Sequence, residues 1–465
     1  MSILQRTVET FLQGYAFDEV VVVLPSELAA SPPSYLDHVI VVEGGERRQD
    51  SVANGFAAVA PSSQVIVIHD AARPLVSPTL IERTVTAAFE HGAAIAALQA
   101  KDTVKRGDAS RIIRGTLPRE EIFLAQTPQA FRVGVQVMSG AASAQVAGRA
   151  FAELADLCVE VLAPAALAET RRVGGDFEGQ IAVVALGKCG SREMSAGSDL
   201  DMMTLYRPAD PAGGSSLKGW DGVTYFGRFT QRLIAALSAQ TAEGGLYEVD
   251  MQLRPTGTKG PVAVSFAAFE HYYEAEAETW ELLALTRARV AWATSPAFAA
   301  EAQAAIAAAL RRPRERARTA RDVREMRELM ARERPPKGDW DLKLGEGGLV
   351  DIEFAAQFLQ LAHAAEGGPL RPNTAEALTA FAGSPLAPAA PIADLERAWR
   401  LQQDLTQLLK LALEDGADPA EEPAAFRALL ARAGGARDFR QLRTALAKAQ
   451  AAAHAAYVAI LEGQA

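Results

Sequence analysis

Short apolar runs separated by helix-length segments fill the first 132 residues, and this spacing most constrains the fold. The runs are EVVVVLP (19–25), HVIVVEGG (38–45), QVIVIHD (64–70) and AAIAALQA (93–100). Runs of this length are typical of buried strands in a parallel sheet whose connections are helices. The sequence therefore predicts an α/β domain over residues 1–132, with its polar functional residues at the ends of strands.

The pattern changes after Arg132. Apolar residues then recur at helical spacing up to about residue 173, and three strand-like segments follow: QIAVVALG (180–187), DLDMMTLY (199–206) and LYEVDMQLRP (246–255). From about Ser295 the chain is rich in Ala, Leu, Arg and Glu, a composition that favours helices. We predict a mixed α/β domain over residues 133–300, which begins with helices, and an all-α bundle over residues 301–465.

Length and charge narrow the class of protein. A chain of 465 residues exceeds one ordinary hydrophobic core, which predicts two or three domains. The net charge of -10 argues against nonspecific binding to nucleic acid or anionic membrane. Two cysteines, no signal-like N-terminus and no segment near the ~20 apolar residues of a membrane span predict a cytoplasmic protein.

Three aspartates carry the main functional prediction. Asp199 and Asp201 are separated by one residue on a predicted strand, so both carboxylates point to the same side. On the predicted strand 246–255, one face carries Glu248, Asp250, Gln252 and Arg254. If the two strands are neighbours, three carboxylates converge, and carboxylate oxygens are the ligands that Mg²⁺ prefers.

Such a site suits phosphoryl chemistry. Carboxylate-held metal ions bridge nucleotide phosphates, and one carboxylate can take the proton of an attacking hydroxyl, a role for which Asp250 is the candidate. The stretch Gly187-Lys188-Cys189-Gly190-Ser191 follows a strand, and its glycines allow backbone N–H groups to approach phosphate oxygens. Arg254 and Lys259 could add positive charge.

Each of these features also has a simpler explanation. An Asp-x-Asp pair alone is usually a solvated strand end, although its combination with a Gly-Ser turn and a third aspartate is much rarer. Glu248 and Gln252 fit a solvated position better than a ligand position. For Arg287 and Arg289 of LTRARV, the alternative is an ion pair with acids of the helical domain.

Four segments together resemble one enzyme family. They are GKCGSREMSAGSDLDMMTLY, GLYEVDMQLRPTGTKGPVAVSFAAFEHY, ETWELLALTRARV and DLKLGEGGLVDIEFAAQFLQL, and they are similar to successive motifs of glutamine-synthetase adenylyltransferases. The resemblance covers roughly Val133 to the C-terminus. It is closer to the adenylylating unit of that two-headed enzyme than to its deadenylylating unit.

The resemblance implies a polymerase-beta-type nucleotidyltransferase domain that transfers AMP from ATP to a tyrosine of glutamine synthetase. It implies Mg²⁺ at Asp199, Asp201 and Asp250, and a nitrogen-signalling regulatory protein as a second partner. The implied nucleotide-binding residues are Gly187, Gly190, Ser191, Ser198 and Arg254. Two positions, Cys189 and Glu278, depart from the family pattern. Lys343, Asp351 and Glu353 also match, with helix capping or bracing as an equal alternative.

The N-terminal segment resembles a second family. VVEGGERRQDSVANGF, VIVIHDAARPLV, AKDTVKR, TLPRE and QTPQAF occur in this order, as in the methylerythritol-phosphate cytidylyltransferases of isoprenoid synthesis. The resemblance implies a partial Rossmann-like nucleotidyltransferase sheet. It implies a cytosine nucleotide near Gly45, Glu46 and Ser51, Mg²⁺ at Asp70, and a sugar phosphate near Thr103 and Arg119. Turn glycines and a helix cap are the alternative.

Two parts of that second family are missing from the sequence: the first strand with its glycine-rich, lysine-containing phosphate loop, and the closing segment with a further lysine. We therefore expect this half to be inactive as a cytidylyltransferase, with an exposed strand edge and poor independent stability. Three rival hypotheses for the whole chain remain. The first is a non-catalytic module that binds glutamine synthetase or a signalling partner, the second is the cytidylyltransferase itself, which the missing phosphate loop opposes, and the third is a fusion without a selected function.

Overall fold

The computed structural model describes residues 2–45, 48–60, 63–91, 93–99, 104–107, 113–117, 123–131, 143–241, 244–413 and 416–463. The chain divides into two compact units. The first unit contains Met1–Ser143 with Gln240–Gly244 and Pro423–Leu429, and the second contains the remaining segments. In the part of the chain that is described, no helix is long and apolar enough to cross a membrane.

The first unit alternates helices and strands in the order expected from its apolar runs. Its helices are α1 (Ile3–Gly14), α2 (Ser26–Ala30), α3 (Arg48–Ala58) and α4 (Pro78–His91), with a 3-10 turn at Ser34–Leu36. Its strands are β1 (Val21–Leu24), β2 (Ile40–Glu43), β3 (Ile66–Ile68), β4 (Ala93–Gln99), β5 (Val104–Gly107), β6 (Ile113–Leu117) and β7 (Phe123–Phe131).

The expected parallel sheet is only partly confirmed. β1 and β2 pair in parallel, as the sequence predicts. β3 and β4, however, both pair antiparallel with β7, a strand that the sequence pattern did not reveal. The reason is that β7 carries QTPQAF, whose proline and two glutamines hide the apolar alternation that marks the other strands.

The hydrophobic contacts of the first unit are divided between small clusters. Among its described residues, one cluster contains Val8, Val22, Leu24 and Leu36, and another contains Phe11, Ile81 and Val85. β1 is hydrogen-bonded only to β2 within the described strands, so the β1–β2 pair is separate from the β3-β7-β4 sheet. Small separate cores bury little apolar surface, which limits the stability that each can supply.

We expect limited trypsin digestion of the full chain to degrade the first unit before the second. Local opening exposes cleavage sites most often where few apolar contacts hold the chain. A time course followed by intact-mass analysis would identify the surviving fragments, and the second unit serves as the internal control. A resistant fragment spanning residues 1–132 would contradict this expectation.

The second unit is built on a mixed sheet. Its first elements are α5 (Ala144–Gly174), β8 (Gly179–Ala185), α6 (Gly187–Ser191), β9 (Leu200–Pro208) and α7 (Gly222–Leu237). The short strands β10 (Gln240–Thr241) and β11 (Gly244–Gly245) come next in the chain and belong to the first unit apart from Gly245, and β12 (Val249–Asp250) and β13 (Ala263–Ser265) follow in the second unit. Helices α8 (Phe266–Ala275) and α9 (Thr279–Leu285) lead to β14 (Arg289–Ala293), with a 3-10 turn at Gly257–Lys259.

β9 lies at the centre of this sheet. The order is β12-β9-β8-β14, with β13 also paired to β9. β8 runs antiparallel to β9, whereas β12 and β13 both run parallel to it. Alternate side chains of β8 enter two different cores: Ala182 and Val184 enter one, and Ile181 and Val183 enter the other. Both faces of the sheet are therefore covered, which fixes the register of its polar ends.

The strand predicted over residues 246–255 is wrong in length. Only Val249 and Asp250 pair with β9, and the chain then turns. Further along this loop, Thr256 and Gly257 both have positive φ, at 61° and 55°, a left-handed conformation that extended backbone does not adopt. The predicted strands 180–187 and 199–206 are confirmed within two residues as β8 and β9.

The remainder of the second unit is helical, as predicted. Its helices are α10 (Pro296–Leu310), α11 (Arg316–Glu333), α12 (Leu349–His363), α13 (Thr374–Ala382), α14 (Ala389–Ala412), the end of α15 (Ala424–Ala433), whose residues up to Leu429 belong to the first unit, and α16 (Phe439–Glu462), with a 3-10 turn at Ala364–Glu366. Apart from α15, the apolar faces of these helices share one core with the sheet, in which Leu205 and Phe269 join Phe358, Leu378 and Ile460. The helices therefore pack directly on the elements that carry the aspartates.

Candidate functional site

Three carboxylates converge at one edge of the sheet. Asp199 directly precedes β9, Asp201 lies within it and Asp250 ends β12. The parallel pairing places Asp250 opposite Asp201, and Asp199 lies two residues earlier on the same face. One oxygen of each carboxylate lies within 4.8 Å of the others, so the structure brings together all three aspartates that the sequence singles out.

The environment of Asp201 shows how strongly these charges interact. Burial, followed by the charges of Asp199 and Asp250, raises the pKa of Asp201 to about 6, against the opposing effect of Arg287 and Lys343. Asp250 is partly compensated, since its Oδ1 accepts a hydrogen bond from the Gln252 N–H at 2.6 Å. Three hard oxygen donors that repel one another in a half-buried site fit a divalent cation such as Mg²⁺.

The turn after β8 supports Asp201 directly. Gly187 has a φ of 51°, and a Cβ added there would lie 1.8 Å from Asp201 Oδ2. The Leu186 N–H donates to the Asp201 carbonyl at 2.8 Å. Glycine is therefore required at position 187 because the carboxylate packs on its Cα, a reason that the sequence pattern alone did not give.

Gly190 and Ser191 contact protein groups. A Cβ on Gly190 would lie 2.1 Å from the Arg287 carbonyl oxygen and 2.7 Å from that of Ala185. Ser191 is buried, accepts from Arg287 Nη2 at 2.7 Å and donates to Glu193 Oε2 at 3.0 Å. These contacts account for both residue types through packing, and their binding of nucleotide stays a prediction.

The remaining sequence-predicted nucleotide contacts lie in loops. Ser198 Oγ accepts from the Ser195 N–H at 3.0 Å. The Arg254 guanidinium donates to three backbone carbonyls, those of Met251 at 2.6 Å, Pro261 at 2.9 Å and Gly260 at 3.1 Å. Arg254 thus holds together the loop after β12, which also contains Lys259 in its 3-10 turn.

A buried ion-pair network behind the turn was not predicted from the sequence. Arg287 pairs with Glu353 of α12 at 2.8 Å, which is the ion pair with the helical domain that the sequence left as an alternative, and also with Glu193 at 2.9 Å. Arg289 instead pairs with Asp156 of α5 at 2.6 Å. Glu193, the residue missed, was the one charged side chain in the stretch 193–198 before the aspartates, but its burial depends on partners far along the chain.

The GEGG segment braces the start of α12. Asp351 is fully buried, accepts from the Gly347 N–H at 2.8 Å and pairs with Arg327 and with His454. The bracing role is therefore the one that its contacts support. Lys343, in contrast, lies close enough to Asp201 to lower the pKa of that carboxyl, so this segment also contributes charge to the site.

The two departures from the family pattern have local explanations. Cys189 is buried and points into the sheet core. Glu278 caps α9, where its backbone N–H donates to Glu281 Oε2 at 2.9 Å in a capping box. Neither residue belongs to the carboxylate cluster.

The candidate residues of the first unit are only partly described. The Gly45 N–H donates to Ser51 Oγ at 3.1 Å, which brings these two residues together at the start of α3. Asp70 follows β3 and pairs with Arg73 at 3.1 Å. Glu46, Thr103 and Arg119 lie outside the described residues.

Family comparisons match most of the chain. The model of the glutamate-ammonia ligase adenylyltransferase family matches residues 59–327, and that of GlnD PII-uridylyltransferase matches residues 316–458. The chain is 68% identical over 335 residues to the bifunctional glutamine synthetase adenylyltransferase/adenylyl-removing enzyme of Caulobacter vibrioides. It is 43% identical over 351 residues to the enzyme of the same name in Agrobacterium fabrum.

These alignments cover 72% and 74% of this chain but 34% and 35% of the relatives, so the chain spans about a third of their length. Among solved structures, 4-diphosphocytidyl-2C-methyl-D-erythritol synthase from Anaerococcus prevotii is 28% identical, with a TM-score of 0.29. The 2-C-methyl-D-erythritol 4-phosphate cytidylyltransferase from Thermus thermophilus is 34% identical, with a TM-score of 0.26. Each covers 30% of this chain and 63% or 64% of its own. TM-scores this low carry no structural argument, and the resemblance of residues 1–132 rests on its motifs.

Proposed function

Because the chain belongs to the glutamate-ammonia ligase adenylyltransferase family, we propose that it transfers AMP from ATP to a tyrosine hydroxyl of glutamine synthetase. The observation that carries the proposal is the convergence of Asp199, Asp201 and Asp250 within 4.8 Å. The three would hold Mg²⁺. The sheet order, with the aspartates on β9 and β12, supports a polymerase-beta-type nucleotidyltransferase domain in the second unit.

All three carboxylates would hold the metal ion, and Asp250 would have a second task. Mg²⁺ held by these carboxylates would neutralise charge on the triphosphate and so favour in-line attack at the α-phosphorus. The tyrosine oxygen forms a bond to that phosphorus as the bond to pyrophosphate breaks. Asp250 is the candidate base: its Oδ1 is occupied by the Gln252 N–H, so Oδ2 would take the proton of the tyrosine hydroxyl.

Basic side chains beside the carboxylates would bind the phosphates. Lys188 is half-buried on the turn next to Gly187. Burial and the nearby charges of Lys343, Arg287 and Lys410 lower the pKa of Lys188, while Glu353 opposes them. A group of cations that repel one another next to a metal-binding site suits a polyanion, and we propose that Lys188 and Lys343 contact the ATP phosphates.

Replacement of Lys188 with methionine is expected to raise the KM for ATP about tenfold, which corresponds to the loss of one charge-assisted contact. Methionine keeps most of the apolar stem, so the fold should be retained. The KM for ATP would be measured by AMP incorporation, with Lys218→Met at an exposed lysine as the matched control. An unchanged KM in Lys188→Met would remove this residue from the phosphate site.

Partners and location are also part of the proposal. The family names of the matches point to glutamine synthetase as the substrate and to a PII-type nitrogen-signalling protein as a regulator. Cys158 and Cys189 are both free thiols, which supports a reducing, cytoplasmic environment.

The proposal is tested by intact-mass analysis of glutamine synthetase after incubation with the full chain and Mg-ATP. We expect the mass of one AMP per modified subunit, located on a tyrosine by peptide sequencing. A parallel incubation of adenylylated glutamine synthetase tests for the reverse reaction. If the folded chain leaves both forms unchanged, the adenylyltransferase proposal is wrong and a non-catalytic binding role is favoured.

A further inference from the structure

We propose that Arg287 is a positioning residue for the Asp201 carboxylate, because its guanidinium fastens the turn 187–191 to the helices that cover it. The expected effect on kcat rests on the proposed function, whereas the expected effect on Mn²⁺ affinity does not. Arg287 itself makes no contact with Asp199 or Asp250 among the hydrogen bonds of the described residues.

One guanidinium donates to three side chains in two separate segments of the chain. Arg287 Nη2 donates to Ser191 Oγ at 2.7 Å and to Glu193 Oε2 at 2.9 Å, while Nη1 donates to Glu353 Oε2 at 2.8 Å. Its side chain is 10% exposed, so the contacts are little screened by water. The planar fork of arginine can satisfy such separate acceptors in fixed directions, whereas a lysine ammonium on its flexible stem cannot hold them in the same way.

Glu193 extends this connection to a further helix. It accepts from the Thr374 N–H at 2.6 Å and from Thr374 Oγ1 at 3.1 Å, at the beginning of α13. Asn373, the N-cap residue of that helix, donates through Nδ2 to the Ser191 carbonyl at 3.0 Å. The C-terminal end of the turn is therefore fixed to both α12 and α13.

The other end of the turn supports the metal site. Gly187 packs on the Asp201 carboxylate so closely that a Cβ would lie 1.8 Å from Oδ2. In the middle of the turn, Gly190 fits against the carbonyl oxygen of Arg287, where a Cβ would lie 2.1 Å away. Loss of the guanidinium contacts to Ser191 and Glu193 therefore releases the C-terminal end of the turn, and a shift of the turn at Gly187 displaces the Asp201 carboxylate that packs on it.

The positive charge of Arg287 also favours the ionised forms of the carboxyl groups around it. Arg287 opposes the effect of burial on Glu193, whose pKa is raised mainly by desolvation. It also opposes the rise in the pKa of Asp201. Loss of its fork would leave Glu193 and Glu353 buried with an incomplete partner, and buried carboxylates in that state rearrange or take up protons.

The test compares Arg287→Lys with Arg327→Lys in the full chain. Arg327 is a matched control: its side chain is 11% exposed, and it donates to Asp351 and to the carbonyls of Leu344 and Gly345. Both changes keep the charge and remove the fork. Mn²⁺ binding would be measured by electron paramagnetic resonance of the free ion, thermal unfolding would report the fold, and AMP transfer would report kcat and KM.

We expect Arg287→Lys to weaken Mn²⁺ binding about tenfold or more, as found when residues that orient metal ligands are changed. The kcat should fall, with the KM for ATP within about twofold of the wild type. Arg327→Lys should lower the unfolding temperature to a similar extent but leave Mn²⁺ affinity unchanged. A merely structural role for Arg287 would instead make the two variants behave alike.

A second variant keeps the inference testable if Arg287→Lys does not fold. Glu353→Gln retains an acceptor for Arg287 Nη1 but removes the charge, and it should weaken Mn²⁺ binding in the same direction by about threefold. Unchanged Mn²⁺ affinity in the folded variants would overturn the positioning role. A wild-type chain that binds Mn²⁺ but transfers no AMP would refute the proposed function alone.

Discussion

Asp201→Asn is expected to reduce AMP transfer at least about 10³-fold while it stabilises the metal-free protein. Activity falls because the variant loses one of three carboxylate ligands and the charge that compensates the metal ion. Stability rises because burial and two neighbouring carboxylates make the charged form of Asp201 unfavourable in the folded chain. Opposite effects of one substitution on activity and stability are typical of residues placed for function.

The sign of the pH dependence follows from the raised pKa. The pKa of Asp201 is about 6 in the folded protein, compared with 3.8 as the ordinary value. Below the ordinary value the carboxyl is protonated in both states and has no effect. As the pH rises from 3.8 to above 6, ionisation of Asp201 destabilises the folded state by on the order of 1–3 kcal/mol. The stabilisation by Asp201→Asn should therefore be present at pH 7.5 and absent at pH 3.5.

Chemical unfolding of the two proteins in chelator at several pH values would measure this difference, and glutamine synthetase mass analysis would measure the activity. Glu248→Gln is the matched control, since Glu248 is exposed and close in sequence to Asp250. It should change neither quantity. If Asp201→Asn were active, or less stable than the wild type without metal at pH 7.5, the assignment of the metal site would be wrong.

The convergence of the aspartates could be predicted from sequence because it depends on a short-range rule. Strand alternation places Asp199 and Asp201 on one side, and the conclusion needs only that Asp250 pairs with Asp201, as it does. The wrong length predicted for the strand over 246–255 therefore did not affect the outcome. It did affect Arg254, which lies in the loop beyond the strand and bonds to carbonyls instead of sharing the acidic face.

The supports of the site could not be predicted, because their partners lie far apart in the chain. Arg287 and Glu193 are separated by 94 residues, and Ser191 and Asn373 by 182 residues. No periodicity relates such positions, and nothing in the sequence distinguishes a buried glutamate from a solvated one. The strand β7 was missed for a local reason, because the glutamines and proline of QTPQAF conceal its alternation.

Two glycines of the turn 187–191 should respond in different ways to replacement by alanine. At Gly187 the added Cβ meets the end of the Asp201 side chain, which can rotate away. At Gly190 the Cβ meets backbone atoms on two sides, the carbonyl oxygens of Arg287 and Ala185, and neither can move without shifting β8 or the segment that leads into β14. The substitution at Gly187 therefore displaces a side chain, whereas the substitution at Gly190 displaces backbone.

We expect Gly187→Ala to abolish most activity at a small cost in stability. The positive φ of 51° costs alanine about 1–2 kcal/mol, and the displaced Asp201 carboxylate should lower AMP transfer about 100-fold. Gly190→Ala should instead destabilise the fold by about 3 kcal/mol or more, because overpacking against backbone on both sides has no easy relaxation.

Gly219→Ala isolates the backbone contribution, since Gly219 has a φ of 61° and nothing within 4 Å of the added Cβ. Its loss of stability should equal that of Gly187→Ala, with full activity and unchanged Mn²⁺ affinity. Chemical unfolding, Mn²⁺ binding and AMP transfer on the three variants separate strain from displacement. Normal Mn²⁺ affinity in Gly187→Ala would contradict this prediction. It would show that the metal site does not depend on the position at which the turn holds the Asp201 carboxylate.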